Sequence, residues 1–157
     1  TVNETRVASV DFLPTIATIT GAPVPAGLDG KDLSAVFSKG ETVDRGPLYW
    51  HYPHYHAVKP AGSILKGDWK LIEWFETGDT ELFDLSKDPS EEKNLAKDHP
   101  EKTAELLADL RKWREDVGAQ MMSPNPKFDP AREKEGPEKK KKPAKGKKEK
   151  GGAEESE

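Results

Sequence analysis

Large apolar residues fall in separate blocks along this chain, and each block has its own period. Phe12, Ile16 and Ile19, with Leu13 beside them, recur at helical spacing and predict a helix that Ser9 or Asp11 caps and that runs to about Thr20. Pro14 falls in its first turn, where a missing N–H costs little. Gly21 stands at the C′ position, and Pro23 and Pro25 block continuation. A one-sided helix this short is marginal alone, so its apolar face needs a partner, and the chain upstream of Thr1 is one place to find it. Residues 22–30 read as a Pro/Gly loop, Asp32–Ser38 as a short helix carrying Leu33, Val36 and Phe37, and 39–46 as an exposed polar link.

From residue 47 the period changes. Pro47–His56 is aromatic but broken by Pro53, which makes it an edge strand or an irregular segment. Ser63–Lys66 and Trp69–Glu76 read as two strands joined at Gly67-Asp68, an order that suits a type II′ hairpin. Along the second strand Trp69, Leu71 and Phe75 alternate with Ile72 and Trp74, so both faces carry large apolar groups and both expect cover. Gly78-Asp79 marks another turn, and Glu81–Leu85 a third strand with Phe83 and Leu85 on one face. A fourth strand, Leu48–His51, completes an antiparallel meander of three to four strands. After a polar loop with a turn at Asp88-Pro89, Pro100 opens the longest helix, to about Val117, where Gly118 ends it. Its stripe of Leu106, Leu107, Leu110, Trp113 and Val117 is about 120° wide at about 100° per residue and matches one face of the meander. The fold class this predicts is α+β: a small antiparallel sheet packed on a C-terminal amphipathic helix.

Composition changes this picture at the C-terminal end. Of 157 residues, 33% are hydrophobic and 34% charged, enough for about one domain with a thin core. Residues 131–157 hold 10 of the 25 basic side chains but only 7 of the 29 acidic ones, and no large apolar residue. That tail cannot offset the entropy of ordering and is expected to be disordered, after a Pro-rich strap over 121–130. The remainder is acidic, which argues against non-specific nucleic-acid binding. There is no cysteine, so disulfides, thiolate metal sites and a Cys nucleophile are excluded within these residues. No apolar run approaches the roughly 18 residues of a membrane span.

Candidate chemistry is concentrated in Leu48–His56, LYWHYPHYH, which holds three histidines, three tyrosines and a tryptophan. Three readings stand for these rings. They wall a binding cleft, where His and Tyr donate to hydroxyl and sulfate oxygens and aromatic faces stack on sugars. They bind a metal through His51, His54 and His56, although no HExxH pattern supports it. Or they are a structural cluster under a loop. Lys66, Asp68 and Lys70 read as charged flanks of a turn, and Asp84 and Asp88 lack the spacing of a calcium loop. No GxSxG, Walker or GxGxxG motif appears.

The order of several short motifs carries a resemblance. VDFLPT (Val10–Thr15) leading to Thr20-Gly21, then GLDG (Gly27–Gly30) and Asp32-Leu33, resembles the passage that closes the catalytic domain of sulfatases. GDWKLI (Gly67–Ile72), ELFDL (Glu81–Leu85), Asp88-Pro89, Glu91 or Glu92, and NLA (Asn94–Ala96) resemble that family's carboxy-terminal subdomain, in which a small antiparallel sheet packs on a terminal helix. HYPHY is similar to the segment of a bacterial subgroup acting on sulfated sugars. The resemblance implies hydrolysis of sulfate esters by a formylglycine nucleophile, made from a C/S-x-P-x-R motif, with a calcium ion neutralising the sulfate. Those elements normally lie upstream, and this sequence has no such motif; Ser123-Pro-Asn-Pro does not match it. No catalytic or metal residue is therefore carried over. The calcium ligands are expected outside this chain, and the fragment alone is expected to be inactive and without a cofactor.

The expected organisation is 1–40 as the end of an α/β catalytic domain, 41–125 as the carboxy-terminal subdomain, and 126–157 as the tail. The expected partners are a sulfated carbohydrate substrate and the missing N-terminal catalytic domain, without nucleic acid. By position in the resemblance, His51, His54 and Tyr55 are the candidate substrate contacts. A periplasmic or extracellular location follows from the resemblance only. A free-standing carbohydrate-binding or protein-interaction module, and a partner protein acting through its Lys-rich tail, are the alternatives.

Overall fold

The computed structural model describes residues 2–56 and 58–127, so most of the expected tail lies outside the described residues. Residues up to Met122 form one compact unit. A second unit begins at Ser123, and its described part is a turn in which the Lys127 N–H donates to Asn125 Oδ1 at 3.0 Å. The elements in chain order are a 3-10 turn (Ser9–Asp11) running into α1 (Phe12–Thr20), α2 (Ser34–Lys39), β1 (Leu48–Tyr52), β2 (Ala61–Lys66), β3 (Trp69–Trp74), β4 (Thr80–Asp84) and α3 (Pro100–Asp116). The four strands are antiparallel in the order β1-β2-β3-β4, and α3 packs on one face, the α+β arrangement the periodicity predicts.

Register decides which side chains meet. Tyr49, Ile64, Leu71 and Leu82 lie opposite one another across the sheet, and this row faces Leu106 and Leu110 of α3. Ile64, Leu71, Leu82 and Leu110 are fully buried and Leu106 nearly so. Each such side chain contributes about 1.5–3 kcal/mol relative to exposure. Tyr49 extends the core by stacking on Trp113, with ring centroids 4.8 Å apart and planes 5° from parallel. Gly67 takes φ 57° while Asp68 stays negative, which is the demand a type II′ turn makes of its first central residue. On β4 Leu82 faces the helix, and Phe83 is buried on the opposite face. One side-chain expectation changes. Val117 is 56% exposed, because α3 ends at Asp116 and the last residue of the stripe runs past the sheet.

Residues 8–33 form a second assembly held by polar side chains. Asp11 does not cap α1 as expected, since its carboxylate bonds no amide of that helix. It is completely buried and accepts from the amides of Ala8 (2.7 Å) and Lys31 (2.8 Å) and from the guanidinium of Arg45, itself almost wholly buried. Burial pushes its pKa up, but the Lys31 amide, the Arg45 guanidinium and the Ala8 amide together outweigh this and hold the carboxyl below its usual range. One turn on, the buried Thr15 hydroxyl accepts from the Leu33 amide at 2.9 Å and donates to the Lys31 carbonyl at 3.4 Å. The DxxPT and GLDG motifs are thus two halves of one clamp. Gly30 is required between them: a Cβ there would run into the Val10 carbonyl and stand 3.1 Å from the Asp11 Cα.

The clamp turns Pro14, Thr15 and Ala17 of α1 inward. Phe12, Leu13, Ile16 and Ile19, the stripe expected to need a partner, face solvent with more than half of each surface exposed.

Candidate functional site

β1 is an edge strand, and Pro53 ends it because a proline cannot donate to the ladder. Residues 53–56 and 58–60 lie outside the strands. The chain returns to the sheet where the Pro60 carbonyl accepts from the Phe75 amide at 3.0 Å. The ring-rich segment is therefore split between a strand and a loop, and its side chains diverge.

His51 sits in β1 on the α3 side. Its Nε2 lies 2.8 Å from the Gln120 carbonyl oxygen, just beyond α3, and its Nδ1 is buried without a hydrogen-bond partner. Its ring leans on Phe75 at 5.3 Å, and the Arg114 guanidinium lies 5.0 Å over the same Phe75 ring. Phe75 reaches that position because Gly62, opposite His51 on β2, has no Cβ; one there would stand 3.0 Å from the ring. Below it Glu73, almost fully buried, accepts from Arg111 Nε and Nη2 at 3.0 and 2.6 Å. Arg114 Nη2 stands 2.7 Å from its other oxygen, an ion pair without hydrogen-bond alignment. Sequence reasoning missed this network. Its signal was a glutamate at the same strand parity as Leu71, a charge on a face otherwise given to the core.

His54 and Tyr55 lie in the exposed loop after Pro53. The His54 ring stands edge-on to Tyr52 at 5.6 Å. The Tyr55 hydroxyl donates to the Glu76 carboxylate, which also pairs with Lys59 at 3.6 Å. Of the three candidate substrate contacts, the structure thus brings His54 and Tyr55 into one loop and directs His51 toward the end of α3. Among the described residues, no three His, Asp or Glu side chains gather as metal ligands. The calcium that the resemblance implies has no fitting donor set in them. Among the same residues no helix is long and apolar enough to cross a membrane.

Elsewhere the charged groups serve attachment. Lys66 of β2 donates to Glu105 (2.9 Å) and Asp109 (2.7 Å) of α3, fastening helix to sheet. Lys102, followed by Lys66, holds the Glu105 carboxyl down to about 2. Lys70 of β3 donates to Glu91 at 2.6 and 2.7 Å, across the 85–99 loop. The Leu82 amide donates to Asn94 Oδ1 (3.1 Å), and the Leu95 amide to the Leu82 carbonyl (2.7 Å), which closes the β4 edge. The Asp88 carboxylate accepts from the Glu92 and Lys93 amides at 3.2 and 2.9 Å, and these contacts account for the DP, E and NLA motifs as loop architecture.

A four-stranded antiparallel sheet backed by one long helix, preceded by a short helix clamped through an Asp and a Thr, defines a carboxy-terminal sulfatase-type subdomain. Residues 1–119 match the family described as N-sulphoglucosamine sulphohydrolase, C-terminal, and the chain belongs to that sulfatase family. It is 32% identical over 112 residues to the delta 4,5-hexuronate-2-O-sulfatase of Bacteroides thetaiotaomicron, covering 69% of this chain and 23% of that protein. Among solved structures, it is similar to a 2-O GAG sulfatase at 30% identity and a TM-score of 0.59, covering 74% of this chain and 27% of that one. It is also similar to a protein solved in complex with its substrate D-glucosamine-2-N,6-O-disulfate, at 29% identity and a TM-score of 0.55, covering 67% of this chain and 23% of that one. The chain spans about a quarter of the length of these relatives.

Proposed function

We propose that this chain is the carboxy-terminal portion of a sulfatase that hydrolyses sulfate esters of sulfated carbohydrate and works in the periplasm or outside the cell. In this reading a catalytic domain packs on the exposed face of α1 and supplies the formylglycine nucleophile and the calcium ligands. The chain by itself is inactive and contributes the shape of one side of the substrate cleft. The observation that carries the reading is the stripe of Phe12, Leu13, Ile16 and Ile19. Four large apolar side chains, each more than half exposed on one helix, form the kind of contiguous patch that marks an interface. Relatives about four times as long offer a domain to cover it.

Within the cleft, His54 and Tyr55 contact the substrate, since both are exposed and sit on the loop that leaves the sheet edge. His51 completes the set from β1, through the strand that carries the loop. The test is made in the longer enzyme, with sulfate release from a sulfated disaccharide as the assay. His54→Ala and Tyr55→Ala are expected to lower kcat/KM at an unchanged thermal midpoint. An unchanged kcat/KM in both variants rejects the cleft assignment. A longer enzyme that releases no sulfate from any sulfated sugar rejects the sulfatase reading.

A further inference from the structure

The sheet face opposite α3 carries a feature that the helix contacts leave unused. Trp50 and Tyr52 of β1 point to that face, as do Ile72 and Trp74 of β3, and between them β2 contributes only Ser63 and Ala61. The register aligns Trp50 with Ser63 and Ile72, and Tyr52 with Ala61 and Trp74. Two walls of large side chains thus stand two strand spacings apart, about 9.5 Å, over a floor of small residues. Trp50 and Tyr52 are each 45% exposed, so the trough is open to solvent.

From this geometry we infer that the trough is a sugar-stacking subsite, which takes one pyranose ring of a carbohydrate chain between Trp50 and Tyr52 on one side and Trp74 on the other. The inference rests on the carbohydrate reading above and assigns it a second set of residues. Three observations favour a sugar over an apolar segment of protein. The walls are amphipathic: among the described residues the indole N–H groups of Trp50 and Trp74 and the hydroxyls of Tyr52 and Ser63 have no hydrogen-bond partner, and a sugar offers hydroxyls to each. The trough is also continuous with the candidate cleft loop, because the Tyr52 ring meets the His54 ring at 5.6 Å. Finally, its floor is uncharged, the nearby Lys59 and Glu76 pair with each other, and Glu81 stands beyond Ile72 on β4. Lys70, the lysine on this face of β3, is held by Glu91, so among the described residues the sheet face offers no unpaired cation to a sulfate; the ring is recognised by its faces and hydroxyls, and its sulfation is irrelevant to this subsite.

The experiment titrates the 157-residue chain with an unsulfated N-acetylglucosamine–glucuronate tetrasaccharide and with its 6-O-sulfated counterpart, reading tryptophan fluorescence. Trp69 and Trp113 lie on the α3 side and serve as the constant background. The expected result is a saturable change with both sugars, with dissociation constants within about threefold of each other and insensitive to salt. Trp50→Ala is expected to weaken binding roughly five- to tenfold, the order of one lost stacking ring. Ser63→Phe, which fills the floor and leaves both walls in place, is expected to abolish it. Circular dichroism melting of each variant identifies loss through unfolding, and a variant that melts early is replaced by Tyr52→Ala. Saturation by neither sugar overturns the proposal, as does binding that survives both Trp50→Ala and Ser63→Phe. So does binding of the sulfated sugar alone that disappears in 0.3 M salt. None of these outcomes touches the sulfatase reading, which stands or falls on sulfate release by the longer enzyme.

Discussion

Replacing Asp11 by alanine probes the clamp that joins the DxxPT and GLDG motifs of the N-terminal segment. Asp11 has no exposed surface, and its partner Arg45 keeps only 6% of its side chain exposed. Removing the carboxylate leaves a buried guanidinium uncompensated, a change that costs about 3–5 kcal/mol. The amides of Ala8 and Lys31 lose their acceptor at the same time, at about 1–3 kcal/mol each if water stays out. Relaxation of the 22–31 loop lets water reach the two amides, so the expected loss is set by the stranded charge alone, at the lower part of its range, about 3–4 kcal/mol. The assay is amide hydrogen exchange at Leu33, whose N–H is held by Thr15 and reports on the clamp without bonding Asp11. At 1.4 kcal/mol per decade, its protection is expected to fall by more than about 100-fold. Adding Arg45→Met removes the stranded charge and is expected to restore part of that loss. A fall of less than about fivefold in Asp11→Ala, or no recovery in the double variant, refutes the buried-pair account.

Three further outcomes follow from the same contacts. Asp11, Asp84 and Asp88 all lie below the usual 3.8, and Glu105 is held down to about 2 from an ordinary 4.5. Because these folded-state values lie below the unfolded ones, the stability they supply is complete above about pH 5. It is lost as pH falls from about 4.5 toward 2; urea midpoints that stay flat or rise between pH 5 and 3 contradict this. Gly30→Ala is expected to cost about 1–3 kcal/mol by overpacking against the Val10 backbone, more than Gly78→Ala, where a Cβ meets nothing and only the positive φ of 72° is strained; equal urea midpoints for the two refute the steric argument. Ile16→Lys with Ile19→Lys is expected to change the stability of this chain by no more than about 0.5 kcal/mol per site and to raise its solubility. The same pair in the longer enzyme is expected to lower its soluble yield, and a destabilisation above about 2 kcal/mol in the chain alone shows that the stripe is internal.

Local pattern was sufficient for the elements and their order. The 3.6-residue period of Phe12–Ile19 and Leu106–Trp113, the two-residue alternation of 69–74 and the Gly-Asp turn each specify their own backbone, because the signals and the bonds they predict lie within a few residues. The family was also legible, because the ordered short motifs that carry the resemblance belong to the chain as written. Side-chain destinations were not. Leu82 against α3 with Phe83 on the other face, His51 toward Gln120 or toward the loop, and Glu73 beneath two arginines depend on strand register and on where α3 crosses the sheet. These contacts join residues up to 69 positions apart. No window of sequence contains both partners of such a contact. The DxxPT motif shows the same limit: its spacing could be read, but that its Asp and Thr grip the backbone of 31–33 became visible only once the loop had folded back. The outer trough is a further product of tertiary structure, since pairing three strands is what sets Trp50 and Tyr52 across from Ile72 and Trp74 over two small residues.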